Sequence, residues 1–256
     1  MNIITHQKAY NKALLYALLS AFFYGLMAFF AIKLHQKNIP VETVLFWRFA
    51  TAIIILILFN PKKILNVKCY KDKQYLVLLF ISLICLSGSS FLFYTAATYI
   101  GSGLAITIFF SFPLFVIAYA RIIDKQKIQK DVFISIILIL TGLTLIHENN
   151  GPKTNHGDLG VILAIISGFY FGSYIFFSKK YASKVDSYNA STVTCFGTLI
   201  SFTAFNLIKG NNIALAFNIE IWTYIFCIAF FVLLLHWYFS SNLSKYYLLQ
   251  KSLFLP

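Results

Sequence analysis

Residues 17–33 read ALLSAFFYGLMAFFAIK, and residues 164–180 read AIISGFYFGSYIFFSKK. A shift of 147 positions superposes the two segments with seven identities in seventeen positions. Both copies place small residues four apart, namely Ala17, Ala21 and Gly25 in the first copy and Ala164, Gly168 and Gly172 in the second. Small residues at this spacing share one helix face, where two helix backbones can approach closely in lipid. The pattern predicts an internal duplication of a membrane helix that packs through this face.

The composition of the 256-residue chain is typical of a membrane protein, with 59% hydrophobic and 11% charged residues. In soluble domains about 25% of the residues are charged. Apolar runs of about 20 residues, which are long enough to cross a bilayer, recur along the chain. They begin near Ala13, Thr43, Tyr75, Leu104, Val132, Leu159, Asn189 and Ile221. We therefore predict an all-α polytopic membrane protein with about eight transmembrane helices present.

The net charge of +13 would suggest a nucleic-acid partner in a soluble protein, but here it is distributed unevenly between the loops. With eight spans, sixteen lysine and arginine residues fall in connections on one side of the membrane and four on the other. This asymmetry follows the positive-inside rule and predicts that both termini are cytoplasmic. The charge is a topology signal, so the expected surroundings are a lipid bilayer and no nucleic acid is expected.

The duplication divides the chain into two predicted domains. Residues 1–150 hold a first repeat of five spans, and residues 151–256 hold a second repeat with three spans and a tail. Because five is an odd number, the two copies should cross the membrane in opposite directions. Inverted repeats of this kind are common in secondary transporters. Since the second repeat has three spans where five are expected, we expect a chain truncated at its C-terminus.

Two predicted spans contain groups that need partners inside the helix bundle. Pro113 lies near the middle of the fourth span, Leu104–Ile122, where it removes a backbone donor and should free the carbonyl of Phe109. The seventh span, Asn189–Ile208, is rich in hydroxyl side chains and should face other helices or a wet cavity. These are Ser191, Thr192, Thr194, Thr198, Ser201 and Thr203.

Arg48, in the second predicted span (Thr43–Phe59), is the one formal charge that we place inside a span. An intramembrane arginine indicates a functional site, and its guanidinium could hold a substrate carboxylate or line the outer mouth of a cavity. Alternatively, the side chain lies about 8 Å below the outer surface and snorkels to the lipid headgroups. The aligned position in the second repeat is Cys195, so the charge is not duplicated.

Further candidate residues could line a central cavity whose aromatic walls suit an apolar or aromatic metabolite. They are Tyr24, Tyr94, Tyr170 and Tyr174, with Ser89 and Ser90. Packing in the helix core is the other interpretation of these residues. Every aspartate and glutamate, Glu42 included, falls in a loop or at the edge of a span, which favours facilitated export or exchange over a carboxylate proton relay. The four cysteines have no metal-ligand spacing, so no metal site is expected.

The arginine in FWRF (residues 46–49), the string FYTAATYIGSGLAITIFFSFPLF (residues 93–115) and the basic loop after the fourth span are similar to an EamA-type domain. This domain belongs to the drug/metabolite transporter superfamily, and the resemblance covers residues 13–147 and 158–239. It implies ten spans in two inverted five-helix repeats, no enzymatic activity and no cofactor. It also implies transport of a small metabolite, often an amino acid, across the bacterial inner membrane by alternating access. The alternative is a truncated, non-transporting membrane protein or an assembly partner.

Overall fold

The computed structural model of the protein describes residues 26, 29–30, 33–37, 39–59, 72–125, 138, 141–142, 157–183, 185–210, 213 and 218–230. Most of the first and fifth predicted spans lie outside these residues. The same holds for four of the predicted packing and cavity residues, which are Ala17, Ala21, Tyr24 and Gly25. Within the described ranges the regular structure is helical and contains no strand.

The helices of the described part follow the predicted spans. Helix α1 is Val41–Phe59, α2 is Lys73–Ile100, α3 is Ser102–Phe109, α4 is Phe112–Ile122, α5 is Gly157–Tyr181, α6 is Ser187–Ile208 and α7 is Ile219–Phe230. Helices α3 and α4 together form the fourth predicted span. Gly101 alone connects α2 to α3. Its φ of +79° is a backbone conformation that residues other than glycine rarely adopt.

Helices α1 and α6 are antiparallel and pack along their whole length. Near the start of α1, the Thr43 hydroxyl donates to Oδ1 of Asn206 at 3.2 Å. Near the start of α6, the Tyr188 hydroxyl donates to the carbonyl of Leu56. These two contacts lie at opposite ends of the bundle, which we call the Thr43 end and the Tyr188 end.

Helix α5 contacts α2, α3 and α4 of the described bundle. It begins at the Thr43 end, because Gly160 packs against Tyr99 and Ile100 at the end of α2. It finishes at the Tyr188 end, where Lys180 forms an ion pair with Asp124, just after α4. Helices α4 and α5 therefore run in the same direction, although α5 is the next described helix along the chain.

Helix α2 contains one turn of π-helix, Ser82–Leu86, between two α-helical segments. A π turn leaves backbone carbonyls displaced from their usual partners. Helix α6 meets this turn closely: a Cβ at Gly197 would lie 2.5 Å from Oγ of Ser82. The hydroxyl of Ser201 donates to the carbonyl of Leu83 at 2.5 Å. The polar face of the seventh predicted span thus contacts a neighbouring helix, as its composition indicates.

The outside of the bundle is apolar. Exposed side chains include Ile54 and Leu58 of α1, Phe80 of α2, Ile165 of α5 and Leu207 of α6. Five stretches of the described part are long and apolar enough to span a membrane: Val41–Phe59, Lys73–Ile100, Ser102–Ile122, Gly157–Tyr181 and Tyr188–Ile208. Helix α7 is apolar but shorter. The described residues therefore bear out an all-helical membrane protein.

Glu42 lies at the edge of a span, as the sequence predicts, but it is not solvated. It stands in the first turn of α1 and is only 5% exposed. Its carboxylate accepts from Nζ of Lys209, which follows the end of α6. The interaction was missed because it joins residues 167 positions apart. A carboxylate at the margin of a span can be buried when a neighbouring helix supplies a cation.

Candidate functional site

Arg48 lies two helical turns into α1, on the side that faces the rest of the bundle. The residue is only 7% exposed. Its position follows from the antiparallel packing of α1 and α6, in which Phe49 stacks on Phe202 with ring centroids 6.0 Å apart. A side chain that snorkels to headgroups would be exposed, so this burial does not fit the snorkelling interpretation.

Within the described ranges, the guanidinium of Arg48 has few polar partners. Nη1 donates to the hydroxyl of Tyr94 at 3.3 Å, and Nε has no hydrogen-bond partner. The guanidinium carbon lies 4.8 Å from the ring centroid of Phe49 and 5.6 Å from that of Tyr94. The ion pairs found among the described residues do not include Arg48. A cation–π contact contributes about 0.5–2 kcal/mol, whereas an unpaired buried charge costs about 3–5 kcal/mol. The rings therefore compensate the charge only partly.

A small cavity opens beside Tyr94 at the Thr43 end. Its interior volume is about 10 Å³, which is about the room that one water molecule needs. The lining residues are His35, Ile39, Val41, Val44, Tyr94, Ala97 and Thr98. Tyr94 therefore contacts both this cavity and the guanidinium of Arg48.

The break predicted from Pro113 is present, two to three residues before the proline. The helix is interrupted at Phe110 and Ser111, and Pro113 stands in the first turn of α4, where a missing N–H does no harm. The Ser111 side chain is buried, and its hydroxyl has no hydrogen-bond partner. The break packs on Gly168 of α5, where an added Cβ would lie 3.1 Å from Oγ of Ser111 and 3.2 Å from the Phe109 carbonyl oxygen.

The other small residues of α5 lie on the same face. A Cβ at Gly172 would approach the carbonyl oxygen of Phe112 to 3.0 Å and Cβ of Phe115 to 2.9 Å. Ala164 is fully buried one turn before Gly168. The small face of α5 thus contacts the broken helix α3–α4, a partner that the repeat alone does not identify.

The remaining candidate residues are spread along the bundle. Ser89 and Ser90 are buried in α2, and the ring of Tyr170 packs against the adjacent Gly88. Tyr174 packs instead at the Tyr188 end, against a separate apolar cluster around Leu78. Of the candidates that the structure describes, Arg48 and Tyr94 form a direct polar contact.

Asn206 is a buried polar residue that was not among the candidates. It is fully buried near the end of α6, where its amide donates to the carbonyl of Phe202 and its oxygen accepts from Thr43. At the same end, Lys37 donates to Glu220 at 3.0 Å and holds the pKa of that carboxyl below its usual value. The signal in the sequence was an asparagine within an apolar span, since such residues bond to neighbouring helices.

A bundle of apolar helices with a buried arginine and one interrupted span defines a multi-pass α-helical membrane protein. The chain belongs to the EamA-like transporter family, whose sequence model matches residues 11–147, more than half of the chain. It is also 27% identical over 217 residues to an uncharacterized transporter of Clostridium kluyveri, in a match covering 79% of this chain and 67% of that protein. These comparisons confirm the resemblance seen in the sequence and support a transporter rather than an enzyme.

Proposed function

We propose that the protein is a secondary transporter that moves a small metabolite by alternating access. The observation that carries this proposal is the interruption of α3–α4 at Ser111, whose side chain is buried against the small face of α5. Transporters of several folds bind substrate beside such discontinuous helices near the middle of the membrane. We assign Arg48, Ser89, Ser90, Tyr94, Tyr170 and Tyr174 to the substrate path.

The proposed mechanism needs two repeats of opposite orientation, and the helix directions support them. With the 147-residue shift, α1 corresponds to α6, and these two helices are antiparallel. Helix α2 likewise corresponds to α7, which begins at the Thr43 end, where α2 finishes. Antiparallel pairing of equivalent helices is what two inverted repeats would produce.

The direction of α5 also supports the predicted topology. Helix α4 finishes at the Tyr188 end and α5 begins at the Thr43 end, so a fifth crossing between them, as predicted, would join the two helices. We propose that residues 1–150 and 151–256 form the two repeats. We further propose a bacterial inner-membrane location with the N- and C-termini in the cytoplasm, which places the Thr43 end outside.

A flux assay with the full chain in proteoliposomes tests the proposal. The panel contains labelled amino acids, monocarboxylates and neutral metabolites, and protein-free liposomes are the control. We expect saturable flux of at least one small metabolite, accelerated by the unlabelled compound on the opposite side. Absence of saturable flux for the whole panel, from protein that remains monodisperse on extraction, would favour the non-transporting alternative.

A further inference from the structure

We infer that Arg48 and Tyr94 form the binding site for the carboxylate of a small organic monocarboxylate with an apolar body. This inference rests on the proposed function and names its substrate class. The ligand would lie between α1 and α2, with its carboxylate on the guanidinium and its apolar part along the aromatic side chains that continue from Tyr94 towards the break in α3–α4.

The charge of the site points to an anion. Arginine stays protonated in proteins, and its guanidinium has five N–H donors. In this structure one of them donates to Tyr94, while Nε is buried without a partner. Among the described residues no carboxylate pairs with Arg48. A carboxylate matches the planar fork of a guanidinium and supplies the missing acceptors.

The surroundings of the pair point to an apolar body. The Tyr94 ring contacts the Phe93 ring with centroids 5.7 Å apart, and Phe93 contacts Phe109 at 5.1 Å. Phe109 is the last residue of α3, so these rings connect Arg48 to the break. Arg48 itself lies over the ring of Phe49. An aromatic or branched aliphatic group fits such walls, whereas a second charge would be left unpaired.

The same argument separates a simple monocarboxylate from an amino acid. A zwitterion brings an ammonium group, which in a buried site needs a carboxylate or several acceptors. The buried carboxylate of the described part, that of Glu42, is already paired with Lys209 at the Thr43 end. The site therefore offers one cation for one anion. Dianions and zwitterions are expected to bind more weakly.

The cavity beside Tyr94 gives the direction from which this site is reached. It holds about 10 Å³, so the conformation described is closed to a substrate. Val41 and Val44 of α1 form one wall, and Ala97 and Thr98 of α2 form the opposite wall. Separation of α1 from α2 at the Thr43 end would widen this cavity down to the Tyr94 hydroxyl.

Equilibrium binding to the full chain in lipid nanodiscs tests the inference, with labelled phenylacetate as the probe. We expect saturable binding that 4-methylpentanoate displaces and that the neutral isostere phenylacetamide does not. Phenylglycine, which differs from the probe by its ammonium group, should displace the probe at least about tenfold less well, as expected for one uncompensated charge. Equal displacement by phenylacetamide or by phenylglycine, or absence of saturable binding, would overturn the inference.

Variants assign the binding to the pair. Arg48→Gln should weaken phenylacetate binding by about tenfold or more, and Tyr94→Phe by about threefold, because each loses a hydrogen bond to the carboxylate. Arg121→Gln, at the exposed end of α4, is the matched control and should bind like the parent. If Arg48→Gln is not monodisperse, Arg48→Lys replaces it, since it keeps the charge and loses the fork. Parental affinity in both the Arg48 and Tyr94 variants contradicts the assignment.

The outcomes separate this inference from the proposed function. Saturable flux of an amino acid or a neutral metabolite, with no binding of phenylacetate, would overturn the substrate class and leave the transport function standing. Binding of phenylacetate that depends on Arg48, without flux of any compound, would support the site and count against transport.

Discussion

The guanidinium of Arg48 lies against two aromatic rings with the Tyr94 hydroxyl as its hydrogen-bond partner. A guanidinium charge buried in this way opposes folding. The free energy that is lost when the charge is removed from water exceeds the free energy that its contacts with the two rings contribute. A buried arginine with a purely structural role would be expected to have more hydrogen-bond or ion-pair partners. The position of Arg48 is therefore better explained by a ligand than by stability of the empty protein.

Replacing Arg48 by methionine tests this explanation through stability. Methionine is apolar and flexible, and it can fill much of the same space. We expect Arg48→Met without ligand to unfold at the same temperature as the parent or at a higher one. The measurement is thermal unfolding of both proteins in the same detergent. A large drop in the unfolding temperature would indicate that Arg48 has a structural role.

At the scale of the helix, the close approach of α5 to α3–α4 depends on small residues. We expect Gly172→Ala to lower the free energy of unfolding by about 1–3 kcal/mol, because the added methyl group meets a backbone carbonyl and a Cβ that cannot move independently. The helix propensity of alanine, worth about 1 kcal/mol, offsets only part of this cost. Denaturant unfolding in detergent micelles measures the difference.

The matched control for that variant is Gly103→Ala. Gly103 lies in the first turn of α3, and an added Cβ there meets no atom within 4 Å. The free energy of unfolding of Gly103→Ala should equal that of the parent or exceed it by up to about 1 kcal/mol, the gain in helix propensity alone. Equal effects at the two glycines would show that the small face of α5 does not set the distance between these helices.

The π turn of α2 offers a second test at this scale. Ser201→Ala removes the hydroxyl that donates to the Leu83 carbonyl across the interface with α6. We expect a loss of about 1 kcal/mol in the free energy of unfolding, the usual value for one hydrogen bond. The control is Ser178→Ala, which removes a hydrogen bond to the carbonyl of Tyr174 within α5 and should lower the free energy of unfolding by less. If the two variants lower it equally, the interhelical hydrogen bond adds no stability of its own.

For the whole molecule, alternating access requires that the helices separate at the Thr43 end. Thr43 and Asn206 are in contact there, across α1 and α6. In a background without native cysteines, we expect Thr43→Cys with Asn206→Cys to support flux when reduced and to lose it when the two thiols are cross-linked. Reduction should restore the flux. Unchanged flux in fully cross-linked protein would show that these two helices do not part during transport.

Local sequence features determined much of this architecture in advance. The apolar run from Thr43 to Phe59 is α1 except for its first two residues, and Pro113 predicted the interruption of the fourth span. Contacts between distant parts of the chain were not predictable in the same way. The pairing of Arg48 with Tyr94 spans 46 positions, and the burial of Glu42 depends on Lys209 from a different helix. Each follows from how the helices assemble, which hydropathy alone does not specify.

The π turn at Ser82–Leu86 gives α2 one residue more than a regular α-helix would have over the same length. Because the extra residue is taken up within one wide turn, the α-helical segments on either side keep the relative orientation that they would have in a regular helix. Deleting it would remove the wide turn and leave Tyr94 facing Arg48. A relative with a one-residue gap at this point in an alignment should therefore keep the same contact where its arginine and tyrosine are retained.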